Sequence, residues 1–343
     1  MKKKFRILSL VTVLMFMLAA CGGGSNSAGG SDSGGSGNGE IEEITIKFSH
    51  VGYAGAPKTA GADKFKEILE EKSDGKITVE VYPAGQLYGD REELDALLAN
   101  NVQIINPSMT KMVVYNPQFQ ILDIPFLFKT REGFFDFWDN GKGQELLGTL
   151  EDKGMVALAM WEGGFKQFVN DRNPITKPED MEGLKFRIQA GDVLESQFKN
   201  LGADASVIPY NETYTALQTG VVDSTENILA NIYSSKYQEV QKYLTISDHG
   251  RLDYPVLTNT TFWNSINDAT KDVIMEAMAE ATEFEREEAQ KLADQYREEL
   301  AQDMEVNELT DEEKEVFIEK LQPLYKEFED IIGKEYMDAA RES

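Results

Sequence analysis

Ile44, Ile46 and Phe48 alternate with Thr45, Lys47 and Ser49, a period of two that predicts a strand with one buried face. From Lys58 to Glu71 the spacing changes. Ala62, Phe65, Ile68 and Leu69 now recur every three or four residues, which predicts a helix. Ser73-Asp74-Gly75 reads as a turn. Ile77, Val79 and Val81 then make a second strand, stopped by Pro83. A helix from Asp90 to Asn100, with Leu94, Leu97 and Leu98 inward, leads to a third strand over Val102–Asn106. Strands alternating with helices in this way predict an α/β architecture with mainly parallel sheets.

Later in the chain the helical period dominates. Asp268 to about Met304 forms one long run with Val273, Ala277, Ala281 and Phe284 on a common face. Thr310-Asp311-Glu312-Glu313 has the pattern of a capping box and opens a further helix, which Pro323 breaks or kinks. Between the two regions lie the aromatic-rich runs Ile124–Phe128 and Phe134–Trp138, which read as packing beneath a lobe or at a seam between lobes.

The N-terminus follows different rules. Lys2, Lys3, Lys4 and Arg6 precede an apolar run from Ile7 to Ala20, the layout of a secretory signal. The run ends in Leu18-Ala19-Ala20-Cys21, which looks like a bacterial lipobox, so residues 1–21 read as a lipoprotein signal and Cys21 as the lipidated residue. Residues 22–40 are almost wholly Gly, Ser, Asn, Ala and Asp and read as a flexible tether, because they have no apolar surface to bury. A globular body beyond a lipid and a tether is held at the outer face of a cell membrane. Cys21 is the only cysteine, so an intrachain disulfide is excluded.

Net charge is -26, and since residues 1–21 contribute +4, the remainder carries -30. Such an acidic chain has no electrostatic footprint for nucleic acid. It also repels small anions at long range, but screening over about 8 Å leaves a local Arg dominant inside a cleft. Two histidines and one cysteine are too few for a zinc site built on those ligands. No P-loop, Rossmann glycine pattern or nucleophile elbow is present, so neither a cofactor nor a metal is expected. His50 follows the first strand, where ligand-facing loops sit in α/β lobes.

The most informative stretch runs from Met160 to Asn227. Arg187 lies in the apolar run Gly183-Leu184-Lys185-Phe186-Arg187-Ile188, where it is either a surface residue of an edge strand or a half-buried anion ligand. Tyr214-Thr215-Ala216-Leu217-Gln218-Thr219-Gly220-Val221-Val222-Asp223 follows some thirty residues later, then Glu226-Asn227. These two blocks, in this order and spacing, resemble the solute-binding proteins of TRAP (tripartite ATP-independent periplasmic) transporters, the dicarboxylate-binding family. The resemblance runs from about Ile44 to the C-terminus.

What the resemblance implies is a two-lobe fold like that of periplasmic binding proteins, with discontinuous lobes, a hinge and a long helix spanning both. The lobes would comprise 41–163 plus 253–292 and 164–252 plus 293–343, with crossovers near Gly163 and Asp253. The implied function is an extracytoplasmic receptor that closes on an organic acid and delivers it to a membrane permease. Arg187 would be the carboxylate clamp and Asn227 a ligand contact, although a helix cap or turn residue would also suit Asn227. Tyr210 matches a position where an aromatic ring lines the pocket, and Asp90 and Ser108 match first-lobe contacts. Lys166 stands where many members have a second Arg. Val222-Asp223-Ser224-Thr225 departs from the usual Val-Asp-Gly-Gln, and Gln189 follows Ile188 where Pro is frequent. Two other readings share parts of the pattern: a binding protein of an ATP-driven importer or a sensor, and a surface-anchored hydrolase.

Overall fold

A computed structural model describes residues 39–343. The predicted signal, Cys21 and most of the predicted tether therefore lie outside the described residues. Glu40, at the tether's far end, already touches the body: its carbonyl accepts from Asn267 Nδ2 at 3.0 Å.

Ten strands form the framework: β1 (Ile44–Ser49), β2 (Ile77–Tyr82), β3 (Ile104–Ile105), β4 (Met155–Asn170), β5 (Lys185–Ile188), β6 (Asp204–Val207), β7 (Ser224–Ile228), β8 (Tyr243–Ile246), β9 (Arg251–Asn259) and β10 (Glu305–Glu308). Their order is β2-β1-β3-β9-β4-β7-β5-β6, with β8 also on β4 and β10 beside β8. The 16-residue β4 joins the two halves. Its first part pairs with β9, from Met155 opposite Asn259 to Phe165 opposite Arg251. Its second part pairs with β7, from Lys166 opposite Ile228 to Asn170 opposite Ser224. The sheets are mixed rather than mainly parallel. β1/β2, β1/β3, β5/β6, β5/β7 and β8/β10 run parallel, but β4 and β9 run against their partners.

The β4 ladder is irregular between Trp161 and Gly164. Glycine is required there. A Cβ on Gly163 would lie 1.9 Å from the Leu252 carbonyl oxygen, and Gly164 has φ +122°. Bulges of this kind bend a strand and re-aim its two ends.

The first helix spans Pro57–Lys72, with Pro at its start where a missing N–H costs nothing. The Ser73-Asp74-Gly75 turn follows, with Asp74 and Gly75 at φ 53° and 74°. The helix predicted over Asp90–Asn100 is shorter, Glu93–Leu98, because Asp90 turns inward rather than capping it. The third strand keeps only Ile104–Ile105 of its predicted span.

A 36-residue helix, Asp268–Asp303, runs past both halves. Val273, Ile274, Ala277 and Ala281 pack with Phe65 and Phe48 in one apolar cluster, whereas Leu300 packs with Val169 and Leu244 in another. Phe284 is only half-buried, and Glu285 takes the inward position instead. Gly61 makes room for it: a Cβ there would lie 2.7 Å from Glu285 Cγ. Thr310 forms the predicted capping box with Glu313. The helix it opens ends at Lys320, and Pro323 lies in the first turn of a separate helix, Gln322–Ile332. Ile124, Leu127, Phe128, Phe134 and Trp138 are buried, so the aromatic runs are packing residues.

Candidate ligand-binding site

Between the two halves lies a small, partly open cavity of about 20 Å³. The sheet of β1, β2 and β3 contributes Lys58, Asp90 and Ser108 from the segments that follow its strands, and β9 adds Tyr254. The other sheet contributes Arg187 from β5, Asn227 from β7, and Gln189, Tyr210 and Asn231 from nearby segments. Ligands settle outside the carboxyl ends of parallel strands because there the loops converge and the strand termini leave backbone groups unpaired.

Arg187 is 2% exposed despite its charge. Parallel strands on both sides, β6 and β7, explain the burial: β5 is an interior strand, and its residues face the core or the cavity. The Nε atom donates to the Ile208 carbonyl at 2.8 Å, which fixes the plane of the guanidinium. Its terminal nitrogens have no hydrogen-bond partner among the described residues, and the side chain lines the cavity. A buried guanidinium with two donors left over is suited to the two oxygens of a carboxylate.

Asp90 lies on the opposite wall and is already neutralised. Its Oδ1 is 2.6 Å from Lys111 Nζ, and its Oδ2 accepts from the Tyr210 amide at 3.1 Å. Burial raises its pKa, but Lys111, the Tyr210 amide and Arg187 outweigh that and hold it below the usual carboxylate range. Lys111 also reaches Glu93 at 2.8 Å. Tyr210 hydrogen-bonds Ser235 through its hydroxyl at 2.7 Å and sets its ring 5.7 Å from that of Tyr53. Ser108 Oγ is buried in the cavity wall without a partner. Asn227 Oδ1 accepts from Asn231 Nδ2 at 2.9 Å and from the Ile228 amide at 3.0 Å. That orientation leaves the Asn227 amide nitrogen as the group free to donate.

Five of the predicted site residues, Arg187, Asn227, Tyr210, Asp90 and Ser108, thus meet at one cavity. Lys166 does not reach its wall. Its ammonium is 2.6 Å from Glu226 Oε1 and 3.8 Å from Asp123 Oδ1, in a fully buried cluster. Glu226 also holds His249 Nε2 at 2.7 Å, and Ser247 Oγ lies 2.7 Å from His249 Nδ1. β4 alternates its side chains, so register explains the outcome: Lys166 faces the charged cluster and not the cavity. His50 does not line the cavity either. It is buried, with Nδ1 accepting from the Gly52 amide at 3.2 Å, and burial together with the Lys58 charge pulls its pKa down to about 3.

Lys58 was not singled out by the sequence. It sits at the start of the first helix, is 2% exposed and lines the cavity. Its ammonium lies 4.0 Å from the Tyr254 ring centroid. Burial pulls its pKa down to about 8, opposed by Glu93 and Asp90. Only the spacing could have drawn attention to it: in the helical period of Ala62, Phe65 and Leu69, Lys58 falls on the buried face.

Comparison with known proteins agrees with this geometry. Residues 48–330 match the model of the DctP family, described as bacterial extracellular solute-binding protein, family 7. The C4-dicarboxylate-binding periplasmic protein DctP of Rhodobacter capsulatus is 41% identical over 307 residues, covering 88% of this chain and 91% of that protein. A TRAP periplasmic solute-binding protein from Sulfurospirillum deleyianum, solved with bound succinate, superposes with a TM-score of 0.83 at 39% identity, covering 88% and 99% of the two chains. A sugar acid binding protein from Advenella mimigardefordensis, solved with galactonate, gives a TM-score of 0.85 at 32% identity over 88% and 99%. The cavity, the buried Arg187 and these matches make the chain a binding protein and not an enzyme, and it belongs to family 7 of the bacterial extracellular solute-binding proteins, the DctP family.

Proposed function

We propose that this chain is the solute receptor of a TRAP transporter and that it captures an organic acid by its carboxylate. The observation that carries the reading is Arg187: buried, oriented by the Ile208 carbonyl, and facing the cavity with two unpaired nitrogens. Leaving such a group without a counter-ion is costly, so an anion is the ligand that relieves the site. Asn227 donates to the same acid, Ser108 supplies a hydroxyl, and the Tyr210 ring covers it. Relatives with the same fold hold succinate in one case and galactonate in another, which supports a small carboxylate.

In this reading the two lobes, 41–163 plus 253–292 and 164–252 plus 293–343, hinge at the irregular β4/β9 crossover and close over the acid. The closed complex docks on a membrane permease, which takes the acid by secondary transport. A lipid on Cys21 and the Gly/Ser tether keep the receptor at the outer face of the membrane. Cys21→Ala is expected to release the chain into the medium or leave it unprocessed, as read by fractionating cells. Membrane retention of a normally cleaved chain would end the lipid-anchor reading.

The test of the carboxylate clamp is a thermal-shift screen against organic acids, followed by calorimetry on Arg187→Ala and Arg187→Lys. A ligand at a hundredfold excess over Kd stabilises by about 2.7 kcal/mol. Removing one side of a buried ion pair costs 2–5 kcal/mol or more, so Arg187→Ala is expected to weaken the best acid by roughly thirtyfold to several thousandfold. Arg187→Lys keeps the charge but loses the fork and is expected to fail as well. Normal affinity in a folded Arg187→Ala variant would rule out the clamp.

A further inference from the structure

We infer that the free edge of β4 is the docking site for an extended segment of the membrane permease, which adds to the sheet as a strand; the inference rests on the receptor reading above. From Met155 to Phe165, β4 pairs with β9 along one edge only. β7 and β8 join β4 from Lys166 and Phe168 onward, so the other edge of its first part has no strand. Two side chains of the long helix close the far end of that edge. Met160 lies opposite Pro255, which has no N–H, so Met160 points its own backbone groups away from β9. Its carbonyl accepts from Arg286 Nη2 at 2.7 Å. The Glu162 amide donates to Glu285 Oε2 at 2.8 Å. No side chain or turn bonds the backbone of Val156–Ala159 among the described residues. Natural edges are blunted with charges, Pro or a covering element. Met155-Val156-Ala157-Leu158-Ala159-Met160 has no charge and no Pro, and a groove of about 470 Å³ lies over it in place of a covering element.

The walls of the groove say what kind of strand fits. They are the helix Lys142–Gly148 and the long helix. Met275, Ala279 and Thr282 recur at helical spacing and form one stripe facing the groove. Met275 is 38% exposed, while Glu276, Glu280 and Glu283 take the solvent positions beside the stripe. On the opposite wall, a Cβ at Gly148 would meet nothing within 4 Å. An added strand sends alternate side chains to opposite faces, one row for the apolar stripe and one for the space above Gly148. Glu151 lines the groove and Glu283 is exposed next to it, and neither has a salt bridge among the described residues. Lys or Arg flanking the inserted strand complements them. A second copy of this chain does not, because each copy carries a net charge of -26 and two acidic rims repel. Position favours a membrane partner as well. The chain enters the body at Glu40 against Asn267, which caps the long helix, and Met275 lies only about 12 Å further along that helix. The groove shares no lining residue with the acid cavity, so the two sites are separable by mutation.

The experiment uses the full mature chain and its cognate permease in lipid nanodiscs, with empty nanodiscs as the blank. Hydrogen exchange is read by mass spectrometry over Val156–Met160, permease affinity by interferometry, and acid affinity by calorimetry with succinate. The permease is expected to slow exchange over Val156–Met160 at least about tenfold. Ala279→Arg and Gly148→Arg obstruct the groove from exposed positions outside the acid cavity. Each is expected to weaken permease binding at least about tenfold and to leave succinate affinity within about twofold. Val316→Arg adds the same charge on the exposed face of another helix and is expected to change neither. Permease binding without protection of Val156–Met160 would overturn the inference, as would groove variants that bind the permease like wild type. Protection that appears without permease as chain concentration rises would assign the edge to a second copy and overturn it too. A chain that binds neither succinate nor any other organic acid would end the receptor reading and this inference with it. Acid binding with an edge left unprotected by the permease would end this inference alone.

Discussion

At the scale of single residues, the molecule treats its buried cations in two ways. Arg187, through its terminal nitrogens, and Lys58, through its ammonium, keep donors free among the described residues and line the cavity. Lys166 lies between Glu226 and Asp123. Burial raises the pKa of Glu226, but Lys166 and His249 outweigh it and bring it down to about 2, whereas burial lifts Asp123 to about 6. Lys166 is therefore placed to stabilise the fold rather than the ligand. Removing the cation from a buried ion cluster leaves its carboxylates uncompensated and costs about 3–5 kcal/mol. Lys166→Met is expected to lower the melting temperature by several degrees while weakening the best acid far less than Arg187→Ala does. The pH dependence has a definite sign. Glu226 has a folded pKa below its ordinary 4.5, so its contribution is present above pH 4.5 and is lost as pH falls toward 2. The gap in melting temperature between wild type and Lys166→Met is thus expected to be wide at neutral pH and to narrow over that acidic window. A gap that is constant from pH 7 to pH 3, or a Lys166→Met variant as poor in binding as Arg187→Ala, would contradict this assignment.

At the scale of elements, periodicity made most of the framework legible. The strands at Ile44–Ser49 and Ile77–Tyr82, the first helix, the long helix and the capping box at Thr310 all stand where hydrophobic spacing and end signals put them. Long amphipathic runs are decided by which face meets the core, and that is written locally. The mixed pairing of the sheets was not legible, because it depends on β4 and β9, whose partners lie far off in sequence, as with Ile104 opposite Thr258. Nothing in Met155–Asn170 distinguishes a strand that crosses between sheets from one that stays in a single sheet. The helix after Asp90 is shorter than its spacing predicts, and Asp90 turns toward Lys111 and Tyr210, partners that sequence spacing cannot reveal. In the site, five residues came from the family resemblance. The remaining cation, Lys58, was hidden in a helical run whose buried face reads as core. Lys166 was misplaced because residue type and position along the chain do not specify which face of β4 it takes.

At the scale of the whole molecule, the cavity is covered by contacts that cross between the halves. The Tyr210 amide donates to Asp90 Oδ2 at 3.1 Å, and the Tyr53 and Tyr210 rings lie 5.7 Å apart. The long helix runs alongside as a common support: Trp161 Nε1 donates to Thr282 Oγ1 at 2.9 Å on one side, and Tyr296 stacks on Tyr233 at 4.2 Å on the other. In the proposed closing motion the halves part to admit a ligand, and the strand irregularity between Trp161 and Gly164 is the expected place for the bend. A ligand carboxylate held by Arg187 adds a contact across the cleft in the closed form of this reading. A ligand shifts such an equilibrium only by its differential affinity for the two states. Small-angle scattering is therefore expected to give a smaller radius of gyration for wild type with saturating succinate than without it, and no contraction for Arg187→Ala at the same concentration. A radius that stays fixed in wild type when calorimetry shows the site filled would mean that acids enter a permanently closed receptor, and the β4/β9 crossover would then be a rigid joint.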